Sequence, residues 1–154
     1  MHVSSVSSTT TGNFMDRRTS LYLYVWRNHI DVDYFPMQTA EAFSVPIGGT
    51  CAIALDPTKI RSEADEAVKL SHELGHCVYG GFYNQYTPLD VREQHENKAN
   101  AWAVYRLIPW GKLKQAVKSG ITEVWELAEY FNVTEDFMRW AIAYYTERKN
   151  YKFE

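Results

Sequence analysis

The first half of the chain alternates between the apolar spacing of a helix and that of a strand. Arg17–His29 carries apolar residues three and four positions apart, which predicts an amphipathic helix. Ile30–Phe35 has an apolar residue at every second position, the period of a half-buried strand. Ala42–Ile47 and Cys51–Leu55 are two further strand candidates, and Gly48-Gly49 between them suits the positive φ angles of a tight hairpin turn. The pattern predicts a helix, a strand and a hairpin.

Helical spacing then continues to the end of the chain. Ser62 is a suitable N-cap for a helix that runs to about Tyr79, where Gly80-Gly81 ends it. The later helices are predicted at Val91–Leu107, Gly111–Lys118, Ile121–Phe131 and Thr134–Arg148. The chain shows no repeat and no linker, so we expect one α+β domain over 15–154, with a helical C-terminal part over 111–154.

Composition narrows the class of protein. The chain has 154 residues, of which 45% are hydrophobic and 15% aromatic, a composition that excludes a disordered protein. Its formal net charge of −3 gives no sign of a protein that binds polyanions. No stretch approaches the ~18 apolar residues of a membrane span. Residues 1–14 lack the apolar segment of a signal peptide and predict a flexible tail or a cloning remnant. We expect a cytoplasmic protein in which Cys51 and Cys77 are two buried thiols.

The predicted helix that ends at Tyr79 carries metal-binding chemistry. His72 and His76 stand four residues apart, so their imidazoles share a helix face and can reach one metal ion. Glu73 follows the first histidine, where a carboxylate can take a proton from the attacking water. Zn²⁺ suits two imidazoles and an oxygen ligand because it accepts tetrahedral geometry and polarises water without redox chemistry. The alternative is a helix whose two histidines are ordinary surface or core residues.

A catalytic zinc needs a third protein ligand, and the next predicted helix offers candidates. Glu96 is the best of them because it lies on one stripe of its helix with Ala99 and Ala103. These small residues permit close approach to the helix that carries His72 and His76. Glu93 lies one turn earlier on this stripe and is the alternative ligand, whereas His95 points about 100° away and is exposed or a substrate contact. Asn100 is either a partner that orients a ligand histidine or an ordinary polar residue.

Aromatic residues bunch in the loop between these two helices. Phe82, Tyr83 and Tyr86 are expected to form a wall of the substrate cleft. Tyr83, Tyr86 and His95 are candidates for a donor to the developing oxyanion, and we leave all three outside the catalytic set.

The two helices together resemble a known family. His72–His76 (HELGH), Glu96–Ala103 (ENKANAWA) and Leu107–Pro109 are similar to the HExGH, ExxAN-x-[FW]-A and apolar-Pro pattern of the ImmA/IrrE-type zinc metallopeptidases. Farther along the chain, Leu127–Thr134 is also similar to a segment of this family. One difference is Gly80, which stands where many members have a further histidine.

The resemblance implies a compact zincin-like domain in which His72, His76 and Glu96 bind Zn²⁺ and Glu73 is the catalytic base. It also implies that an edge strand beside the metal helix binds an extended peptide by β-addition, and we assign that strand to Cys51–Leu55. Members often lie on prophages and conjugative elements, beside a helix-turn-helix repressor that they cleave or inactivate.

Two functions of different classes follow. The first is a zinc-dependent endopeptidase that cleaves a protein partner, expected to be a transcriptional repressor of a prophage or mobile element. The second is a regulatory binding protein that retains the metal fold and acts by contact alone. The intact Glu73 favours the enzyme, because a binding module has no need of that carboxylate.

The C-terminal part raises a third function, DNA binding. Glu126–Tyr145 resembles a helix-turn-helix, but its second helix carries few basic residues, set among Glu135, Asp136 and Glu147. The apolar spacing of that helix favours packing against the core. We therefore expect no direct nucleic-acid binding and no membrane binding.

Overall fold

The computed structural model describes residues 16–154, so the tail predicted over 1–14 lies outside the described residues. In chain order the elements are α1 (Arg17–Arg27), β1 (Asp31–Tyr34), β2 (Ala42–Ile47), β3 (Thr50–Leu55), α2 (Glu63–Tyr79), α3 (Leu89–Leu107), α4 (Trp110–Lys118), α5 (Val124–Phe131), α6 (Glu135–Ala143) and a π-helical turn (Tyr144–Arg148). A small sheet followed by helices confirms the predicted α+β class.

The three strands form one sheet in the order β1-β3-β2. The hairpin is confirmed: β2 and β3 are antiparallel, and Gly48 and Gly49 turn between them with φ angles of 51° and 82°. β1 joins the opposite side of β3 in parallel. β3 is therefore the central strand, with both of its edges paired, and the assignment of Cys51–Leu55 as the peptide-binding edge strand is wrong. The edge strand beside α2 is β2.

Local capping sets the limits of α2. The Ser62 side chain accepts a hydrogen bond from the backbone N–H of Asp65, and Gly80 ends the helix in the left-handed conformation at a φ of 62°. Both limits match the prediction. Inside the helix, Gly75 lies against α3, since a Cβ atom on it would stand 2.6 Å from the Ala99 carbonyl oxygen. This close approach brings the functional groups of the two helices together.

The core lies between the inner face of the sheet and the helices. Its largest fully buried side chains come from almost every element: Leu21, Ile53, Leu55, Leu70, Leu74, Leu107, Ile108, Leu113, Leu127, Phe131, Met138 and Tyr145. Because both α1 and the C-terminal helices contribute, the whole described chain shares one core.

A buried acidic residue holds the loop that leads into β2. Asp56 accepts hydrogen bonds from the Thr58 hydroxyl at 2.6 Å and from the Met37 backbone N–H at 2.8 Å, and it lies 3.4 Å from the Lys59 ammonium. These contacts lower the pKa of Asp56 to about 2, with the Thr58 hydroxyl as the largest cause. Lys59 also donates to the Ala40 carbonyl at 2.9 Å, so the chain entering β2 is held from both sides.

The two cysteines are paired. Cys51 at the start of β3 and Cys77 near the end of α2 form a disulfide, with their Cα atoms 5.7 Å apart. The expectation of two unpaired thiols is therefore wrong. Strand and helix bring the two side chains together across 26 positions of sequence, a contact that spacing alone does not show.

The C-terminal helices pack inward. The Thr134 hydroxyl caps α6, and Met138 and Ala141 on that helix are fully buried. Arg139 pairs with Glu135 and Asp136 on the same helix. These contacts agree with the packing interpretation of the helix-turn-helix-like segment. The α-helix predicted to extend to Arg148 ends instead at Ala143 and continues as the π-helical turn. In that turn the Tyr145 hydroxyl donates a hydrogen bond to the Ile108 carbonyl at 2.7 Å.

None of the helices within residues 16–154 has both the length and the apolar character that crossing a bilayer requires.

Candidate metal centre

Three side chains from α2 and α3 converge on one point. The Nε2 atoms of His72 and His76 are 3.0 Å apart, because positions four apart in a helix lie one above the other. Glu96 on α3 faces both, with one carboxylate oxygen 3.1 Å from His72 Nε2 and the other 3.1 Å from His76 Nε2. All three candidate ligand atoms lie within 4.8 Å of one another. His76 is buried, and His72 and Glu96 are half-buried.

Hydrogen bonds on the far side of each imidazole set its orientation. His72 donates from Nδ1 to the side-chain oxygen of Asn100 at 2.7 Å, and His76 donates from Nδ1 to the Gly81 carbonyl at 2.9 Å. With the protons on Nδ1, each Nε2 presents its lone pair to the centre. Of the two interpretations of Asn100 that the sequence allowed, the structure supports the partner that orients a candidate ligand histidine.

The donor set fits a zinc ion. Two inward-facing lone pairs 3.0 Å apart and a carboxylate between them form an electron-rich cluster that a cation stabilises. Two imidazoles and one carboxylate are a frequent ligand set for catalytic zinc, which keeps a fourth position for water or substrate. Glu93, the alternative ligand, is exposed on α3 and does not belong to this cluster.

Glu73 lies in the cleft beside these three residues. Its side chain is buried, and it accepts a hydrogen bond from the Ser44 hydroxyl on β2 at 2.7 Å. Sequence reasoning missed Ser44, because it assigned the edge strand to the other half of the hairpin. Strand alternation was a usable signal, since Ala42 and Ser44 share one face of β2 and both line the cleft.

Of the three candidate oxyanion donors, Tyr83 lies in the cleft. Its hydroxyl donates to Glu96 Oε1 at 2.8 Å, and its ring is 6.1 Å from that of His76. Phe82 lines the cleft beside it, whereas Tyr86 is 84% exposed to solvent. His95 packs under Gly81, where a Cβ atom would stand 2.9 Å from its Nδ1. The aromatic loop therefore forms a wall of the cleft through Phe82 and Tyr83.

The charges of the cluster influence one another. When the two imidazoles also carry a proton on Nε2, hydrogen bonds from His72 and His76 hold the pKa of Glu96 well below its usual range. Burial opposes protonation of His72, but its hydrogen bond to Glu96 and the negative charges of Glu73 and Glu96 outweigh burial and raise its pKa. Burial, then the hydrogen bond to Glu96, raises the pKa of Tyr83, so its hydroxyl keeps its proton at neutral pH.

The centre opens into a cleft of about 330 Å³. β2 forms one side of this cleft through Ala42, Phe43 and Ser44, and the aromatic loop forms the other. The outer edge of β2 has no neighbouring strand among the described residues, so its backbone groups remain free for pairing.

Comparison with known proteins identifies one matching family model. The Peptidase_M78 model, described as the IrrE N-terminal-like domain, matches residues 32–142. The matched stretch runs from within β1 to within α6, is well over half of the chain, and includes the three converging side chains. No curated protein and no solved structure gives a significant match.

Proposed function

The chain belongs to the IrrE N-terminal-like peptidase family, and on that premise we propose that it is a zinc-dependent endopeptidase that cleaves a protein partner. The observation that supports this function is the convergence of His72, His76 and Glu96 in the cleft that also holds Glu73. A purely structural zinc site has four protein ligands. A hydrolytic zinc site typically has three protein ligands and a nearby carboxylate that does not bind the metal.

His72, His76 and Glu96 would hold the ion. When bound, Zn²⁺ supplies a Lewis acid that makes water a nucleophile near neutral pH and polarises the carbonyl of the peptide to be cleaved. Asn100 and Gly81 keep the two imidazoles in the orientation that this binding requires.

Glu73 is the proton carrier in this proposal. Its carboxylate takes a proton from the attacking water and later gives that proton to the nitrogen of the departing amine. The hydrogen bond from Ser44 occupies Oε2, which leaves Oε1 for the water. Ser44 therefore holds the carboxylate in one orientation.

Tyr83 is positioned to assist at the carbonyl oxygen. Its protonated hydroxyl lies in the cleft and donates a hydrogen bond to Glu96. With substrate bound, the same hydroxyl can donate to the carbonyl oxygen of the substrate in place of the Glu96 carboxylate. Arg92 lies over the Tyr83 ring, with its guanidinium carbon 5.5 Å from the ring centre.

The free edge of β2 is the proposed docking strand for the substrate. An extended peptide that pairs with this edge crosses the cleft directly over Glu73 and the metal ligands. Backbone pairing holds the peptide irrespective of its sequence, so it suits a protein substrate that presents an extended segment.

The proposed substrate is a helix-turn-helix repressor encoded near this chain on a prophage or mobile element. The resemblance to the ImmA/IrrE-type peptidases supports this choice, and we propose that the reaction takes place in the cytoplasm, where such repressors act.

The test uses the zinc-loaded protein, the neighbouring repressor and the variant Glu73→Gln. We expect the wild type to cut the repressor at one bond, seen by mass spectrometry, and the variant to bind zinc equally and leave the repressor intact. If zinc-loaded Glu73→Gln inactivates the repressor as well as the wild type does, the protein acts by contact and the endopeptidase assignment is wrong.

A further inference from the structure

The cleft continues beyond the metal centre on the other side of His72. A second depression, of about 280 Å³, shares Ala42, His72 and Glu73 with the first. Its remaining walls are Glu41, Val68, Lys69, Asn100 and Phe137, and we call it the Val68 lobe. Because the two depressions meet at His72 and Glu73, a peptide bond held over Glu73 would have one depression on each side of it.

We propose that the Val68 lobe binds the side chain of the substrate residue next to the cleaved bond, and that it selects a neutral apolar side chain of the size of leucine, methionine or phenylalanine. This inference rests on the proposed function for its substrate, a peptide, and adds the residue class that the substrate must present.

The apolar surface of the lobe comes from three separate elements. Val68 lies on α2 one turn before His72, on the same helix face. Ala42 contributes from the start of β2, and Phe137 from α6 closes the far wall with 9% of its surface exposed. A buried apolar side chain gains free energy in proportion to the area that it removes from water, so these walls favour an apolar ligand.

The polar groups of the lobe already have partners inside the protein. The Lys69 ammonium donates to Asp65 at 2.6 Å and to the Lys59 carbonyl at 3.0 Å, and it lies 3.1 Å from a Glu41 oxygen. An acidic substrate side chain would therefore meet a cation that two carboxylates already neutralise.

A basic substrate side chain also lacks a partner at the depth of the lobe. The Asn100 oxygen accepts from His72, and Glu41 lies at the rim with 54% of its side chain exposed. A charged side chain placed between Val68 and Phe137 would lose its hydration without a hydrogen-bonding partner, which costs free energy. The lobe therefore disfavours both signs of charge.

Ligand binding tests the lobe without requiring turnover. The probes are two series of short peptide hydroxamates, which attach to zinc, with the varied side chain on one side or the other of the hydroxamate. The varied residue is alanine, leucine, phenylalanine, aspartate or lysine, and affinity for the zinc-loaded protein is measured by calorimetry. We expect leucine and phenylalanine to bind roughly tenfold or more tightly than alanine in one series, and more tightly than aspartate and lysine.

Variants assign that preference to the lobe. Val68→Phe fills it, and we expect the variant to lose the preference for leucine over alanine. Val78→Phe is the matched control, because Val78 is on the same helix, is 41% exposed and does not line the cleft. Val68→Thr keeps the volume nearly constant and adds a hydroxyl, so it should weaken leucine binding several-fold even if the larger residue disturbs folding. Zinc content and melting temperature monitor the fold.

The outcomes separate this inference from the proposed function. Equal binding of all side chains in both series, a preference for aspartate or lysine, or equal effects of Val68→Phe and Val78→Phe would overturn the inference. An apolar preference that Val68→Phe removes, in a protein that hydrolyses no peptide, would support the lobe and contradict the endopeptidase.

Discussion

Asn100 accepts a hydrogen bond from His72 at 2.7 Å, and this contact joins α3 to the metal helix at the side of the imidazole away from the centre. The bond holds the proton on Nδ1 and the lone pair on Nε2, the form of histidine that binds a metal. Asn100 thus contributes to the candidate metal site without being one of the candidate ligands.

Replacing Asn100 by alanine should weaken zinc binding. The substitution removes the acceptor that orients His72, and partners of this kind are typically worth 10- to 100-fold in metal affinity. Competition with a chromophoric chelator measures the change. Asn97→Ala is the control, since Asn97 lies on the same helix and contacts Arg148, away from the centre. Equal affinities for the two variants would contradict the orienting role.

Glu96→Ala should lose zinc, whereas Glu93→Ala should retain about one ion per chain. Glu96 lies 3.1 Å from both Nε2 atoms, while Glu93 is exposed and stands apart from the cluster. Atomic absorption after gel filtration measures the zinc content. Retention of zinc in Glu96→Ala with its loss in Glu93→Ala would reverse the assignment of the third ligand.

Zinc affinity should fall as the solution is acidified. A histidine must be neutral to bind the ion, and the pKa of His72 in the metal-free protein is raised above its ordinary value of about 6.5. Protons therefore begin to compete with zinc above pH 6.5, and affinity decreases steadily below that pH. Chelator competition between pH 8 and pH 5 tests this, and affinity that stays constant to pH 5 would contradict a two-histidine site.

Asp56 should stabilise the fold at neutral pH and cease to do so in acid. Its pKa is about 2 in the folded protein and about 3.9 in an unfolded chain, so the folded state prefers the carboxylate. The stabilisation is complete above about pH 5 and is lost progressively as the pH falls towards 2. Urea unfolding of Asp56→Asn should show a deficit at pH 7 that shrinks at pH 2.5, whereas Asp33→Asn, an exposed control, should show little deficit at either pH.

Reduction of the Cys51–Cys77 disulfide should destabilise the protein. The bond closes a loop with a sequence separation of 26, and the chain-entropy model gives a stabilisation of about 3–4 kcal/mol for a loop of this length. Urea unfolding with and without dithiothreitol measures the loss, with the double variant Cys51→Ala/Cys77→Ala insensitive to the reductant. Alkylation of both thiols in the unreduced, denatured protein would show that the bond does not form.

The sequence by itself determined the features that depend on residues a few positions apart. Ser62 and Gly80 mark the ends of the metal helix through capping and left-handed backbone, and Gly48-Gly49 marks the hairpin in the same way. The spacing of four between His72 and His76 places both imidazoles on one face, because one helical turn has about 3.6 residues. Physical reasoning on short segments was sufficient for these features.

The tertiary structure decided which distant segments meet. Sheet order made β2 the edge and β3 the centre, because β1 pairs with the side of β3 that the hairpin leaves open. The approach of Gly75 to Ala99 brought Glu96 rather than Glu93 to the histidines. The cysteine pair and the placement of Phe137 in the cleft wall also join elements far apart in the chain. Such contacts depend on how whole elements pack over one core, which local spacing does not specify.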